Sequence, residues 1–352
     1  MQIRTLAASL ALVSSLGLVA CGGGGGGSST SSSDTSGTGG TSVTTTAVTI
    51  TESNMSQVGQ AAVEQATGQA STVAAGASVI GVQANDPQPL SQFSARLLTR
   101  AAMRALADVD TSAQVTGAET TQSVSCAEGG TISVTFTDTN SNNKLDAGDS
   151  VKTSFNACKE LGATLSGSMT MAVNSLSGTL SSGTATLGFT SVADNLSVTL
   201  PSGKRSTTSG TLTFSARQTS TTTFTATVTA SNLNSKTYDA SGNLVNDVTT
   251  TSATVTVVEG TSSVTVGLSE TLTGTWGTRF SGTLTLATLT GQELLFNGSV
   301  YPSSGVLVAT GNGSKVVATF LSGGYVKLDL DKDNNGTVDK TVTMTVAELL
   351  TL

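Results

Sequence analysis

Two short stretches of this 352-residue chain carry acidic and amide side chains at a spacing that could hold a cation. In FTDTNSNNKLDAGDSV, from Phe136 to Val151, the residues Asp138, Asn140, Asn142, Asp146 and Asp149 stand at offsets 1, 3, 5, 9 and 12. That is the ligand spacing of an EF-hand-type calcium loop, in which hard carboxylate and amide oxygens wrap a hard cation. The stretch departs from the pattern at Asn143, where glycine makes the sharp turn, and at Asp149, which is shorter than the usual closing glutamate. A second stretch, DLDKDNNGTVDKT from Asp329 to Thr341, offers Asp331, Asp333, Asn335 and Asp339 with Gly336 in place, but Val342 at the twelfth offset. Strand-like patterns flank both, so neither is a full EF-hand. Ca2+ is the one candidate cofactor, set against the plainer reading of Asx-rich turns that need no ion. For the first stretch a connection of about twelve residues exceeds the usual hairpin length of 2–5, which argues for an ordering ligand.

Other chemistry is narrowed by what the chain lacks. There is no histidine, which removes Ser-His-Asp and Cys-His catalysis, histidine-bearing zinc sites and histidine pH switching. Gly148-Asp149-Ser150 matches the serine motif of GDSL hydrolases, and Ser141-Asn142-Asn143-Lys144 the Ser-x-x-Lys of serine β-lactamases. The first chemistry needs the missing histidine and the second needs a helix where this chain has a polar turn. A carboxylate pair could still hydrolyse a glycoside. Nothing marks two acidic residues as partners, however, and aromatic platforms for sugars are scarce at 4% of the chain. A formal net charge of −7 with only 11% charged residues argues against nucleic acid and gives no electrostatic drive toward anionic headgroups.

The elements that must position these stretches are strands. From about Thr116 apolar residues alternate with Ser and Thr, as in Ile132/Val134/Phe136, Leu212/Phe214/Ala216, Ala253/Val255/Val257 and Val326/Leu328/Leu330. Period two with one apolar face predicts half-buried antiparallel strands, roughly fifteen of them at ordinary strand length. Several open alike, in LSGSMT, LSGTLS, TSGTLTF and FSGTLTL, where glycine supplies a turn or bulge before the strand. The predicted fold is mainly β: a large antiparallel meander forming a sandwich or a rolled sheet or barrel, with a small N-terminal helical region. A membrane barrel is excluded by the missing aromatic girdles.

Upstream, Val43 to Ile50 reads as one short strand, and Met55, Val58, Ala62 and Ala66 recur at near-helical spacing despite Gly59 and Gly68. A second helix is predicted after Pro89, capped by Ser91, with Phe93, Leu97, Leu98, Ala101, Ala105 and Leu106 on one face. Arg96, Arg100 and Arg104 fall on another stripe. That stripe is either a solvated face or a contact for acidic lipid or glycan headgroups.

The N-terminus supplies an address. Arg4 precedes an apolar run from Leu6 to Ala20, of signal-peptide length and too short to span ~30 Å of hydrocarbon comfortably. The run closes on Leu18-Val19-Ala20-Cys21, which resembles the lipobox of bacterial lipoproteins, in which the cysteine sulfur carries a diacylglycerol. Gly22 at the second mature position resembles lipoproteins forwarded to the outer membrane of Gram-negative cells. Two or three acyl chains anchor firmly where one binds marginally. Residues 22–42 are nearly all Gly, Ser and Thr and form a coil reaching roughly 25 Å. The predicted organisation is therefore a signal peptide at 1–20, a tether at 21–42, a short strand plus helical region at 43–115, and the antiparallel β domain at 116–352.

With Cys21 acylated, Cys126 and Cys158 remain as an even pair in a disulfide-permissive compartment, either bridged or as two buried thiols. The chain as a whole resembles Gram-negative lipoproteins with a Cys-polyglycine start. The resemblance extends over Cys126-Ala-Glu-Gly-Gly130, the Asp/Asn loop through Gly148-Asp149, Cys158, and the closing VKLDLDKDNNGTVDKTVTMTVAEL. It implies an outer-membrane lipid anchor and a β-rich body facing periplasm or cell exterior, and no particular activity. The expected function is a lipid-anchored cell-envelope lipoprotein with a non-catalytic binding or structural role. Its membrane partner is met through the lipidated N-terminus, and nucleic acid is no partner. A periplasmic carrier of lipid or another apolar ligand is the alternative, and a carbohydrate-active enzyme with a carboxylate pair the weaker one.

Overall fold

The computed structural model describes residues 46–77, 120–142, 146–160, 162–178, 186–218, 224–259, 263–297, 299 and 301–352. The alternation of apolar residues with Ser and Thr becomes a single antiparallel sheet of fifteen strands. In chain order these are β1 Thr120–Ser125, β2 Thr131–Thr137, β3 Ser150–Glu160, β4 Ala163–Ser177, β5 Thr186–Thr199, β6 Arg205–Gln218, β7 Phe224–Tyr238 and β8 Leu244–Glu259. They continue as β9 Val264–Trp276, β10 Phe280–Thr288, β11 Leu294–Phe296, β12 Gly305–Thr310, β13 Lys315–Leu321, β14 Tyr325–Asp331 and β15 Lys340–Thr345. Each pairs with its predecessor, except that the short β11 pairs with β9 and leaves β10 beside β12. β1 and β15 are the two edges and the sheet is not closed. The architecture is thus one open meander rather than a closed barrel, since among the described residues no pairing joins its ends.

Period two sets which face is covered. Along β13 the side chains of Val316, Ala318 and Phe320 are buried while their neighbours are partly exposed, and β14 repeats this with Val326, Leu328 and Leu330. Phe189 on β5 stacks on Phe214 of β6, ring centres 4.7 Å apart, in the middle of one continuous apolar core. The expected bulges are present. At Gly167 in β4 the register shifts against β5, whose Asn195 adopts a left-handed conformation at φ 51°. A Cβ on Gly167 would lie 2.3 Å from the Asn195 carbonyl oxygen, so only glycine lets the two backbones meet.

Helix α1, Met55–Ala77, lies against β8, β9 and β12 to β14, with Met55, Val58, Ala62 and Ala66 buried. It extends beyond the predicted stretch. Gln65 donates from Nε2 to the buried Glu270 carboxylate of β9 at 2.8 Å. Of the predicted strand at Val43 to Ile50 the described part is 46–50, which pairs in parallel with β10 through the bridge between Ala47 and Thr283. A one-turn helix α2, Val346–Leu349, closes the chain with a capping box between Thr345 and Glu348. No described helix is long and apolar enough to cross a membrane. The predicted helix after Pro89, with its arginine stripe, lies outside the described residues.

Candidate functional site

Both Asp/Asn stretches are strand connections, and each is folded around one buried carboxylate. The first joins β2 to β3, with residues 143–145 outside the description. Asp149 is buried at its end. Its Oδ1 accepts from the Thr139 N–H at 2.9 Å and its Oδ2 from the Asp146 N–H at 2.8 Å. The Gly148 N–H donates to the Val173 carbonyl and the Val173 N–H to the Asp149 carbonyl, both at 2.8 Å, so the loop base is fixed to β4. Asn140 donates from Nδ2 to Asp146 Oδ1 at 2.9 Å, and Asn142 from Nδ2 to Asp146 Oδ2. The Asn142 N–H points to Asn140 Oδ1 at 3.1 Å and to Asp138 Oδ1 at 3.3 Å. All five predicted residues therefore converge. The two amides face Asp146 with their nitrogens; half a turn of each would present oxygen instead, as a cation would require.

The second loop joins β14 to β15. Asp331, 2% exposed, accepts from the Asn335 N–H at 3.0 Å on Oδ1 and from the Gly336 N–H at 2.8 Å on Oδ2. Asn334 and Gly336 take the left-handed conformations, φ 54° and 88°, that turn the loop back on that carboxylate. Asn335 donates from Nδ2 to Asp333 at 2.9 Å and accepts from the Thr337 N–H on Oδ1 at 2.7 Å. Asp339 accepts from the Lys332 N–H at 2.9 Å. Asp331, Asp333 and Asp339 each present an oxygen within 4.8 Å of the others. Oxygens held at the calcium–oxygen distance of 2.3–2.6 Å from a common centre can be no further apart than about twice that distance, so the spacing of this donor set is compatible with a hard cation. The aspartates of the first loop form no comparable group of three carboxylates.

Two lysines already pair with carboxylates of the second loop. Lys315 on β13 reaches Asp331 at 3.1 Å, and Lys332 reaches Asp339 at 2.8 Å. Burial pushes the Asp331 carboxyl up, but the Gly336 N–H, Lys315 and the Asn335 N–H together bring it below its ordinary value. The Lys332 side chain and N–H likewise hold Asp339 below its ordinary value, and Asp339 raises Lys332 in turn. Sequence reasoning missed Lys315, which meets Asp331 only through the register of β13 against β14.

A plain Asx turn gives the comparison. In the β7–β8 hairpin Asp239 accepts from the Ser241 and Asn243 N–H groups at 2.9 Å each and from Asn243 Nδ2 at 2.9 Å, with no second carboxylate involved. The 331–339 loop differs by bringing three carboxylates together.

Cys126 and Cys158 form a disulfide, with Cα atoms 5.5 Å apart, tying the β1–β2 turn to β3. Beside it Glu160, 1% exposed, accepts from the Ala127 N–H at 3.0 Å, and Glu128 from the Gly162 N–H at 2.7 Å. These two cysteines and Glu160 also lie close enough to bind a metal, but sulfurs bonded to each other are not thiolate ligands. Cys21 and the tether lie outside the described residues. No known protein family matches the chain, and neither a curated protein nor a solved structure matches it.

Proposed function

We propose that this protein is a lipoprotein anchored through Cys21 to the outer membrane of a Gram-negative cell. Its β body faces the periplasm or the exterior in a non-catalytic binding or structural role and takes Ca2+ in the 331–339 loop. The observation that carries the reading is the pairing of Cys126 with Cys158. It consumes both thiols of the folded body, in a chain with three cysteines, and leaves the odd one at the end of the lipobox. A disulfide also belongs to an exported chain. Ca2+ in the loop would be held by Asp331, Asp333, Asn335 and Asp339 and would supply charge that ties these oxygens together.

A carrier of an apolar ligand is the second reading. It draws on the hydroxyls of Thr153, Ser191 and Ser206, which are buried on the apolar face with no hydrogen-bond partner and would gain one from a ligand headgroup.

Native mass spectrometry of the protein extracted from its own membrane, with and without chelator, tests both. The first reading expects a mass increment for acylation on Cys21 and loss of one calcium on chelation. A retained lipid beyond the covalent one would favour the carrier. An unacylated mature chain free in the medium would overturn the anchor.

A further inference from the structure

The point where the tether enters the body is built in an unusual way. β10 pairs with β12 only from Thr285 opposite Thr310 to Thr288 opposite Leu307, so the start of β10 has no partner on that side. Residues 46–50 fill the gap. On one flank the Thr283 N–H donates to the Thr46 carbonyl at 3.1 Å, and the Val48 N–H to the Thr283 carbonyl at 2.9 Å. On the other, the Asn312 N–H donates to the Val48 carbonyl at 2.6 Å, and the Ile50 N–H to the Oγ of Ser314 at 2.9 Å. Ser314 is fully buried, and Val48 and Ile50 plunge into the core at 3% and 1% exposure. A Cβ on Gly311 would lie 1.9 Å from the Val48 carbonyl oxygen, so the slot exists only because that residue is glycine.

An edge strand such as β1 has one neighbour and can be peeled off bond by bond. The 46–50 segment has neighbours on both sides and runs parallel to β10. Tension on its N-terminal end therefore loads both flanks at once, along the strand direction, while two buried side chains resist withdrawal. We propose that residues 46–50 are a force-carrying strand that couples the tether to the interior of the sheet, so that pull on the anchor is resisted by the whole body rather than by a detachable terminus. The source of that pull rests on the anchor reading above; the clamp itself does not.

The test is a force-extension measurement on the full mature chain, made without acylation. With Cys126 and Cys158 bridged, Cys21 is the one free thiol and takes a maleimide handle; the other handle follows Leu352. In the wild type no small extension should precede unfolding of the sheet. Ser314→Ala and Gly311→Val should each show an early, low-force step of roughly 30 Å, the length of residues 46–54 at ~3.3–3.6 Å each. Ser314→Ala removes one hydrogen bond and adds no atoms that could clash, so it decides the matter if Gly311→Val does not fold. An early step of that size in the wild type, or its absence in a folded Ser314→Ala variant, would overturn the clamp. Because the chain is unacylated, neither result bears on the anchor, which is read separately by fatty-acid incorporation at Cys21.

Discussion

Replacing both Cys126 and Cys158 by Ala tests whether the β1–β3 end of the sheet needs its staple. The bridge spans 32 residues, for which the chain-entropy relation gives about 3.7 kcal/mol of stabilisation at 25 °C, by restricting the unfolded chain. The pairing places this constraint where it is most needed. β1 is an edge strand of six residues and, among the described residues, pairs with β2 alone, so its own ladder contributes little. Urea unfolding followed by far-UV circular dichroism reads the effect. With a slope of about 3 kcal/mol/M, the midpoint should fall by roughly 1.2 M. An unchanged slope would locate the loss in stability alone, whereas a smaller slope would mean that β1 to β3 already detach in the native state. Substituting the cysteines avoids the problem that Cys158, 0% exposed, resists a reductant. A midpoint within about 0.2 M of wild type, with the slope preserved, would refute the argument, since it would leave under 1 kcal/mol for the staple.

Three other outcomes are expected. Asp331→Asn should weaken calcium binding roughly tenfold or more by calorimetry, because affinity in such loops follows ligand charge, while Asp239→Asn should leave it unchanged. Asp331 and Asp339 are both held below their ordinary value. Their contribution is therefore complete above the unfolded-state value and is lost as pH falls through the folded one. Stability measured by denaturant should decline below about pH 4, and less steeply in the Asp331→Asn variant. Phe214→Ala, which removes half of the stacked pair with Phe189, should cost ~3–5 kcal/mol by thermal or chemical unfolding.

How much of this was legible follows from the range of each interaction. Alternation is local, so the strands and their covered face could be read directly, as with Leu212, Phe214 and Ala216. Bulge glycines were legible in part for the same reason: Gly167 sits in a Ser-Gly-Ser context, but it lies inside β4 rather than before the strand. The path of the sheet was not. Nothing in the three residues Leu294–Phe296 says that they pair with β9 and leave β10 to β12, because pairing depends on residues far away in sequence. Gly59 weakened the expected helix, yet it stands where Leu328 Cδ1 would be 2.8 Å from a Cβ; the close approach of α1 to β14 is a tertiary reason. Period two tells which face is buried and not what covers it, so sandwich, roll and barrel stayed equal in the sequence. For the second loop, spacing identified Asp331, Asp333 and Asp339, while Lys315, the partner of Asp331, came from register.

The two unusual covalent and electrostatic devices of the body lie at opposite edges of the sheet. Interior strands such as β6 are paired along both sides and need nothing further. An edge strand has half the ladder bonds and invites either fraying or pairing with another chain. At one edge the disulfide joins the β1–β2 turn to β3, so the C-terminal end of β1 is held in place. At the other, the 331–339 loop precedes β15, and its buried Asp331, at the end of β14, is tied to the neighbouring β13 by Lys315. The capping box of α2 then fixes the far end of β15, with the Val346 N–H donating to the Gly324 carbonyl at 2.9 Å. Under the proposed function an ion at Asp331, Asp333 and Asp339 would do for β15 what the sulfur bridge does for β1. EF-hand spacing can thus recur here without flanking helices: the element needing constraint is a terminal strand, and its edge is where an added ligand gains the most. Chelation should accordingly raise amide exchange in β15 and α2 while leaving β1 to β3 unchanged, and removal of the bridge by substituting both cysteines should do the reverse. Uniform loosening of the whole sheet in either experiment would contradict this division.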